Sequence, residues 1–512
     1  MMKKIIIALY VVMIGLVSYA ETPLVYEGSV SGNVSSGDFA PYYIMSNNGG
    51  VLTQPDAVLM RLDATKEMDK RSRFSYGFGL SAIGGWQSEY KQYTAAPEGF
   101  MPKAQGENPS ALVLQQAYGE VKYRGVFLTM GLKEYHSPLL NEKLGSGDWI
   151  QSNNARPVPQ ARAGFIDFQN IPFTNGWVQI QGEIAYGKYA HDDWFEDHYN
   201  YYGRFVNTDE WYNYKRLYLR TKPKNPFSVT VGMQMVTEFG GTATTYSNGK
   251  VVKVDAYDVG FKDLIKAFFP KDGGDNPGDA SYYYGNTLGS WDFVARYRFS
   301  NKAELKAYVQ KPFEDGSGIG WLNGFDGIWG LEYVAPKKSV VNGAVVEMIL
   351  TTNQSGPLHW APHDNPGTYY LVQATGSDNY YNNFRCNSYM NYGMSQGTPF
   401  VPSIIYNRKG DVNVIDNRLR GFHIGVAGNI LKNLDYRMLV SYRKSYGTWS
   451  QPRLKTAENT SFMLEGTYSF TKVEGLSLKG QVAFDKGKLL GGDNFGVLLS
   501  VNYKGVLSIF DR

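Results

Sequence analysis

The chain has 512 residues, a formal net charge of +4 and a mean hydropathy of −0.35. Lysine and arginine are scattered among aspartate and glutamate, which argues against a nucleic-acid partner, and the one cysteine, Cys386, excludes an internal disulfide. Beyond the N-terminus no stretch reaches the roughly 20 apolar residues of a membrane-spanning helix, so a helical membrane protein is excluded.

Residues 1–20 have the pattern of a secretory signal peptide. Lys3 and Lys4 give a positive start, an apolar core follows, and Ser18-Tyr19-Ala20 is a small-x-small cleavage site. An uncleaved membrane anchor is disfavoured because the apolar core is shorter than a spanning helix. We expect cleavage after Ala20, which leaves residues 21–512 as a single domain.

Alternation of apolar and polar residues with period two recurs along the mature chain. Because successive strand side chains point to opposite faces, each such segment predicts a strand with one apolar and one polar face. The segments are residues 74–80, 126–132, 178–186, 227–235, 291–299, 434–443, 462–470, 476–484 and 495–503.

The ends and spacing of these strands distinguish a membrane barrel from a soluble sandwich, which would show the same alternation. Aromatic residues end several apolar faces, as interfacial girdles require. Short turns at 221–226, 300–302, 431–433 and 471–475 alternate with long excursions at 186–211, 240–290, 351–421 and 444–459. We therefore predict an all-β fold, a transmembrane antiparallel β-barrel of about 16–18 strands in the outer membrane, with long extracellular loops and a little helix.

The segment 152–160 interrupts the strand pattern. Two prolines, which cannot donate to a ladder, predict an irregular loop folded against the barrel wall or into its mouth. Asn153, Asn154 and Arg156 then offer amide and guanidinium donors suited to an acidic polysaccharide. The alternative for Arg156, which we favour, is a structural clamp on an interior carboxylate, because inward-facing barrel charges usually pair.

Two excursions are rich in aromatic residues set among Asp, Asn and His. The first contains Trp194, Tyr199 and Tyr201, and the second contains Tyr380 and Tyr381. Aromatic rings pack on the C–H faces of sugars, while hydroxyl, amide and carboxylate groups bind their hydroxyls. These residues are candidates for polysaccharide binding. The alternative is that they form the upper aromatic girdle and loop packing.

Two further segments of the excursions depart from the strand pattern. Residues 191–198 bring two histidines among four carboxylates; we interpret them as a solvated acidic loop, with a calcium or zinc site as the alternative. Residues 258–269 place apolar side chains at helical spacing before Pro270. We predict a short amphipathic helix whose apolar stripe packs against the protein.

The sequence contains none of the short motifs that mark common catalytic sites. There is no Gly-x-Ser-x-Gly elbow, no His-Glu-x-x-His, no phosphate-binding glycine loop and no paired cysteines for zinc. We therefore predict no enzyme activity, no cofactor and no metal. The alternative is a barrel hydrolase acting on lipid or peptide, whose site would be assembled across strands and leave no short motif.

Several segments resemble the Wzi-type capsule assembly family of outer-membrane proteins. They read GSGDWI at 145–150, SNNARPVPQ at 152–160, EFGG at 238–241, TTNQSGP at 351–357 and DNYYNN at 378–383. The resemblance implies a barrel of about eighteen strands with some helical content, which acts as a surface lectin for capsular polysaccharide and has no enzyme activity.

Together these features predict a non-enzymatic barrel that binds or retains surface polysaccharide and aids capsule assembly. The alternative is a porin-like channel for solute or oligosaccharide uptake. The two differ in whether the lumen is open. The expected partners are surface polysaccharide and outer-membrane lipid, and we expect a monomer.

Overall fold

The computed structural model describes residues 22–91, 102–201, 203–269, 285–314, 316–357 and 376–507. The predicted signal peptide at residues 1–20 lies outside the described residues. Within this part of the chain, no helix combines the length and the apolar character needed to cross a membrane.

Eighteen antiparallel strands of the described residues close into a barrel. They are β1 (Leu24–Ser35), β2 (Ala57–Lys66), β3 (Phe74–Gln87), β4 (Leu112–Tyr123), β5 (Val126–Leu132), β6 (Gln160–Phe165), β7 (Val178–Lys188), β8 (Trp211–Thr221), β9 (Phe227–Phe239), β10 (Asn286–Arg298), β11 (Glu304–Phe313), β12 (Gly327–Val334), β13 (Gly343–Leu350), β14 (Leu419–Leu431), β15 (Leu434–Gly447), β16 (Pro452–Ser469), β17 (Leu476–Gly487) and β18 (Asn494–Leu507). Each strand pairs with the next, and β18 pairs with β1 to close the ring.

Helices and short strands occupy the connections. The helices are α1 (Tyr42–Met45), α2 (Asp192–Tyr199), α3 (Phe261–Phe268) and α4 (Gly316–Ile319), with a 3-10 turn at Ile404–Tyr406. The short strands are Gln169–Asn170, which pairs with the edge of β7, Phe205–Thr208, Gly241–Ser247 and Lys250–Tyr257, which form a small sheet, and the pair Met390–Asn391 and Met394–Ser395. The barrel therefore carries most of the regular structure.

The two faces of the wall have opposite polarity. In β2, Val58, Met60 and Leu62 are each about half exposed on the outer face, at 55%, 48% and 52%. The alternating residues Arg61 and Asp63 face the lumen and form an ion pair at 3.0 Å. A soluble sandwich would bury its apolar face, whereas this wall exposes it, which is the pattern of a barrel surrounded by lipid. The predicted fold class is confirmed.

The two ends of the barrel differ in their connections. Connections such as 124–125, 222–226, 299–303 and 432–433 all lie at one end, which we call the short-turn end. The opposite end, the long-loop end, carries the connections 133–159, 189–210, 240–285 and 351–418. In bacterial outer-membrane barrels short turns face the periplasm, so we assign the long-loop end to the cell exterior.

Most of the predicted elements are present, with two corrections. All nine alternating segments lie in strands, apart from one terminal residue in two of them, and the predicted helix is α3. The predicted excursion 444–459 is wrong, because β15 and β16 extend into it and leave only 448–451 as a turn. The apolar stripe of α3 packs against the protein only in part: Leu264 and Phe268 are half-buried, whereas Phe261 and Ile265 stay exposed, at 77% and 51%.

The upper half of the lumen is filled by the chain itself. Three segments from the long-loop end fold inward, and we call residues 36–56, 133–159 and 376–418 together the plug. The ring of Trp149 stacks on Tyr381 at 4.9 Å and meets Tyr380 edge-on at 5.2 Å. All three side chains are at most 1% exposed. Among the described residues, the larger hydrophobic cluster thus lies within the barrel.

Side chains of the wall hold the plug in place. Asp148 of the plug accepts hydrogen bonds from Gln234 on β9 and from Gln310 on β11, both at 2.8 Å. Glu347 on β13 accepts from the backbone N–H of Ser146 at 2.6 Å. These contacts join the plug to three strands. The expectation that segment 152–160 folds against the barrel wall or into its mouth is met, because residues 152–159 belong to the plug and Gln160 begins β6.

Candidate functional site

A cleft of about 370 Å³ lies at the long-loop end, beside α2 and above the plug. Its volume is near the lower limit of small-ligand sites, which span roughly 300–1,000 Å³. The connections between β1 and β2, between β3 and β4, and between β7 and β8 contribute to its lining. The side chains that give the cleft its chemistry are Tyr90, Trp194, Tyr392, Arg156, His198, Glu107, Asp193 and Asp197.

Helix α2 supplies one wall of the cleft. Asp192 and Asp193 in its first turn favour the helix, because carboxylates there complement the positive end of the helix dipole. Trp194 and His198 are four residues apart and therefore share one face, on which their rings stack at 3.9 Å. On another face Phe195 is buried with no exposed surface. The segment interpreted as a solvated acidic loop is therefore a packed helix.

The His198 ring is held in one orientation in the cleft wall. Its Nδ1 lies 2.7 Å from the carbonyl oxygen of Trp194, so Nδ1 donates to that oxygen. Tyr90 meets the same ring edge-on at 4.6 Å. Burial lowers the pKa of His198 to about 3. The imidazole is therefore neutral at physiological pH, and because it is buried it supports the Trp194 ring instead of contributing a charge.

Arg156 contacts Tyr392 in the lining of the cleft. Its guanidinium carbon lies 3.8 Å from the centre of the Tyr392 ring, a cation–π geometry. Burial lowers the pKa of Arg156. No salt bridge to Arg156 exists among the described residues, so the favoured interpretation of a clamp on an interior carboxylate is wrong. The guanidinium is left with hydrogen-bond donors that a ligand could use.

Carboxylates outnumber cations in the lining. The cleft is lined by the carboxylates of Glu107, Asp193 and Asp197 and by the guanidinium of Arg156. Lys103, which lies outside the lining, forms an ion pair with Asp197 at 3.5 Å. Carboxylates accept hydrogen bonds from sugar hydroxyls but repel other carboxylates. The cleft is thus better suited to a hydroxyl-rich glycan with few negative charges than to the acidic polysaccharide expected from Asn153, Asn154 and Arg156.

The structure brings only some of the predicted site residues together. Arg156 and Trp194 both line the cleft. Asn153 lies next to it, with Arg156, on a small cavity of about 40 Å³. Asn154 is fully buried and donates to the carbonyl oxygen of Ser395 at 2.9 Å. Asn154 therefore holds the plug together and has no surface to offer a polymer.

The other predicted aromatic residues lie away from the cleft lining. Tyr199 is 3% exposed and packs on Phe195 at 5.7 Å. Tyr380 and Tyr381 are fully buried in the plug, where the Tyr381 hydroxyl donates to the carbonyl oxygen of Trp149 at 2.6 Å. Tyr201 is partly exposed beside the turn between two short strands. For Tyr199, Tyr380 and Tyr381, the alternative of loop packing describes the structure.

Sequence reasoning did not single out two aromatic residues of the cleft. Tyr90 follows β3, which continues to Gln87 beyond the alternating segment that ended at residue 80. Tyr392 belongs to the same aromatic excursion as Tyr380 and Tyr381, but nothing in its local sequence distinguishes it from those buried neighbours. Aromatic density alone therefore identified the excursion but not the exposed ring within it.

Comparison with known proteins identifies the fold. No family model matches the chain, and no curated protein matches it. Among solved structures the chain is similar to Wzi of Escherichia coli, an outer-membrane protein involved in group 1 capsule assembly and described as a carbohydrate-binding β-barrel. The identity is 12%, the TM-score is 0.53, and the match covers 93% of this chain and 83% of that chain.

Two further solved structures also match. OccAB2 of Acinetobacter baumannii has 8% identity, a TM-score of 0.48 and coverage of 95% of this chain and 98% of that chain. OccK3 of Pseudomonas aeruginosa has 11% identity, a TM-score of 0.44 and coverage of 95% and 96%. The likeness to Wzi agrees with the family resemblance expected from the sequence, and it establishes an outer-membrane β-barrel.

Proposed function

We propose that this protein binds surface polysaccharide at its long-loop end and retains it at the cell exterior. The observation that carries the proposal is the cleft lined by Tyr90, Trp194, Tyr392 and Arg156, with carboxylates between them. Flat rings beside hydrogen-bonding groups are the arrangement that glycans require. Retention involves binding without bond cleavage, so we propose no enzyme activity.

The filled lumen supports retention over diffusion. A porin needs a continuous aqueous path, whereas here the plug places Trp149, Tyr380 and Tyr381 across the upper lumen. The fold shared with Wzi, itself described as carbohydrate-binding, is consistent with the proposal. More specifically, we propose that the retained polysaccharide is capsule and that the protein takes part in capsule assembly.

The test measures binding of the organism's purified surface polysaccharide to detergent-solubilised protein. Trp194→Ala and Tyr392→Ala each remove a ring from the cleft and should weaken binding about tenfold, since partial burial of one ring face against a sugar contributes on the order of 1–2 kcal/mol. Tyr201→Ala is the matched control, because it removes an aromatic loop residue at the same end but outside the cleft lining. Equal losses in all three variants would reject the cleft as the binding site.

A cellular measurement accompanies the binding assay. Cells that carry Trp194→Ala in place of the wild-type protein should shed more polysaccharide into the medium at equal amounts of folded barrel. The purified wild-type protein should show little steady conductance in planar bilayers. Unchanged retention together with an open conductance that polysaccharide does not block would favour the uptake channel instead.

A further inference from the structure

A second concave surface lies on the outside of the barrel, on the wall formed by β9 to β15. It is a groove of about 940 Å³ whose lining is almost entirely apolar. The cross-strand register explains its shape, because Ala295 on β10 pairs directly with Ala307 on β11. The larger side chains of Phe293 and Trp329 lie two residues along their strands from the level of this alanine pair, on the side of the long-loop end. Two small residues side by side thus form a depression at bilayer depth.

Cations border the groove at its long-loop end. Arg420 on β14 pairs across strands with Lys444 on β15, and both side chains share the outer face with Phe422 and Tyr442. Each cation is two residues, about 7 Å, nearer the long-loop end than the aromatic side chain on its own strand. Arg418 continues the row, with its guanidinium carbon 3.4 Å from the centre of the Trp449 ring.

The charge of this rim is only partly compensated. Lys444 pairs with Glu458 at 3.0 Å. Arg420 donates to the hydroxyl of Thr352 at 3.3 Å, and Arg418 donates to the carbonyl oxygen of Thr352 at 3.3 Å. Within the described ranges neither arginine takes part in a salt bridge. The rim therefore presents uncompensated positive charge directly above an apolar groove.

We propose that the groove and its cationic rim form a binding site for a phosphorylated lipid with several acyl chains in the outer leaflet. Acyl chains would occupy the depression at Ala295 and Ala307, and lipid phosphates would contact Arg420, Lys444 and Arg418. A glycan has no part that matches an apolar groove at bilayer depth, whereas an amphiphile with an anionic head matches both halves of the site. This site is separate from the polysaccharide cleft, so either proposal can fail alone.

The test titrates the detergent-solubilised protein with lipid A and measures bound lipid by native mass spectrometry. Dephosphorylated lipid A and phosphatidylglycerol are the comparison ligands. We expect lipid A to bind most tightly. Arg420→Gln and Lys444→Gln should each weaken its binding roughly fivefold, the effect of removing one cation near an anionic lipid surface. Lys337→Gln and Lys338→Gln, at exposed positions of the short-turn end, are the matched controls and should have no effect.

A substitution that leaves charge unchanged tests the groove separately. Ala307→Phe fills the depression and should weaken lipid A binding while both rim cations remain. Equal binding of lipid A and its dephosphorylated form to the wild type would overturn the proposal. So would wild-type affinity in the double variant Arg420→Gln/Lys444→Gln. The rim variants keep the test decisive if Ala307→Phe fails to fold.

Discussion

The upper and lower halves of the lumen differ in how their polar and charged side chains are satisfied. In the upper half, Asp148 is 1% exposed and accepts five hydrogen bonds, from the hydroxyl of Ser137, two backbone N–H groups and two glutamines. In the lower half a cavity of about 430 Å³ is lined by Glu27, Arg61, Asp63 and Lys504. In the lower half Arg61 pairs with Asp63 and Lys504 pairs with Glu27 beside open space, and Arg61 also contacts Glu134 of the plug. The upper polar groups are satisfied by contacts within the plug and between the plug and the wall.

This difference predicts where substitutions matter. A buried polar group that loses its partner costs far more than an ion pair that water can replace. The plug should therefore behave as one cooperative unit with the upper wall, and the lower lumen should tolerate change. The predictions below test this contrast.

The largest expected effect is at Asp148. Asp148→Ala removes the acceptor of five hydrogen bonds inside the upper lumen, so we expect a loss of about 3–5 kcal/mol in the free energy of unfolding. Asp63→Ala in the lower lumen is the control and should cost about 1 kcal/mol or less. Urea unfolding in detergent, followed by circular dichroism, measures both. Equal costs would remove the distinction between the two halves.

A glycine pair tests how closely the plug approaches the wall. At Gly425 on β14 an added Cβ would lie 2.1 Å from the backbone oxygen of Leu144, whereas at Gly466 on β16 no atom lies within 4 Å. Gly425→Ala should displace the plug at a cost of about 1–3 kcal/mol. Gly466→Ala, the control, should not. The rate at which maleimide labels Cys386, which is 3% exposed, reports plug displacement. Equally slow labelling in both variants would contradict the close approach.

Each of the two buried histidines at α2 should make a destabilising contribution in acid. Burial lowers the pKa of His191 and of His198 to about 3. Below the unfolded value of about 6.5 the unfolded chain binds a proton on each ring that the folded chain does not, so the contribution of each ring to stability falls as pH drops from about 6.5 toward 3. At pH 5.5 the expected loss is about 1.4 kcal/mol per ring. The stability of His198→Gln relative to the wild type should therefore rise by about that amount between neutral pH and pH 5.5, and an unchanged difference would contradict a neutral buried His198.

The smallest effect is expected for an ion pair at the short-turn end. Arg298 contacts Glu304 at 2.6 Å, with the two side chains 41% and 25% exposed. A double-mutant cycle with Arg298→Ala and Glu304→Ala should give a coupling of about 1 kcal/mol or less, and salt should reduce it. A coupling as large as the effect of Asp148→Ala would mean that the lower lumen is as tightly organised as the upper.

The strands of the barrel wall could be predicted from the sequence because the pattern that marks each strand lies within a few consecutive residues. Lipid on one side and lumen on the other impose a period of two on each strand, so nine segments sufficed to indicate the fold. The plug follows no such rule. Gln310 and Asp148 are 162 positions apart in the sequence, and no local pattern in either segment predicts their hydrogen bond.

The residues of the polysaccharide cleft could likewise be predicted only in part. Trp194 and Arg156 were recognised because rings and guanidinium groups suit glycans, and both line the cleft. Tyr380 and Tyr381 have the same composition around them but are buried against Trp149. Burial inside a lumen depends on the path of the whole excursion. Local composition therefore cannot separate an exposed tyrosine from a buried one.

The seam between β1 and β18 determines the order in which the barrel can be assembled. Its register runs from Leu24 opposite Leu507 to Ser35 opposite Gly496, so it joins the two most distant strands of the chain. Until β18 has been synthesised and placed, the sheet has two open edges whose backbone groups can pair with another chain. Closure is also the contact with the greatest loop entropy, which makes it a slow step. The growing chain therefore needs protection of both edges until its last strand arrives.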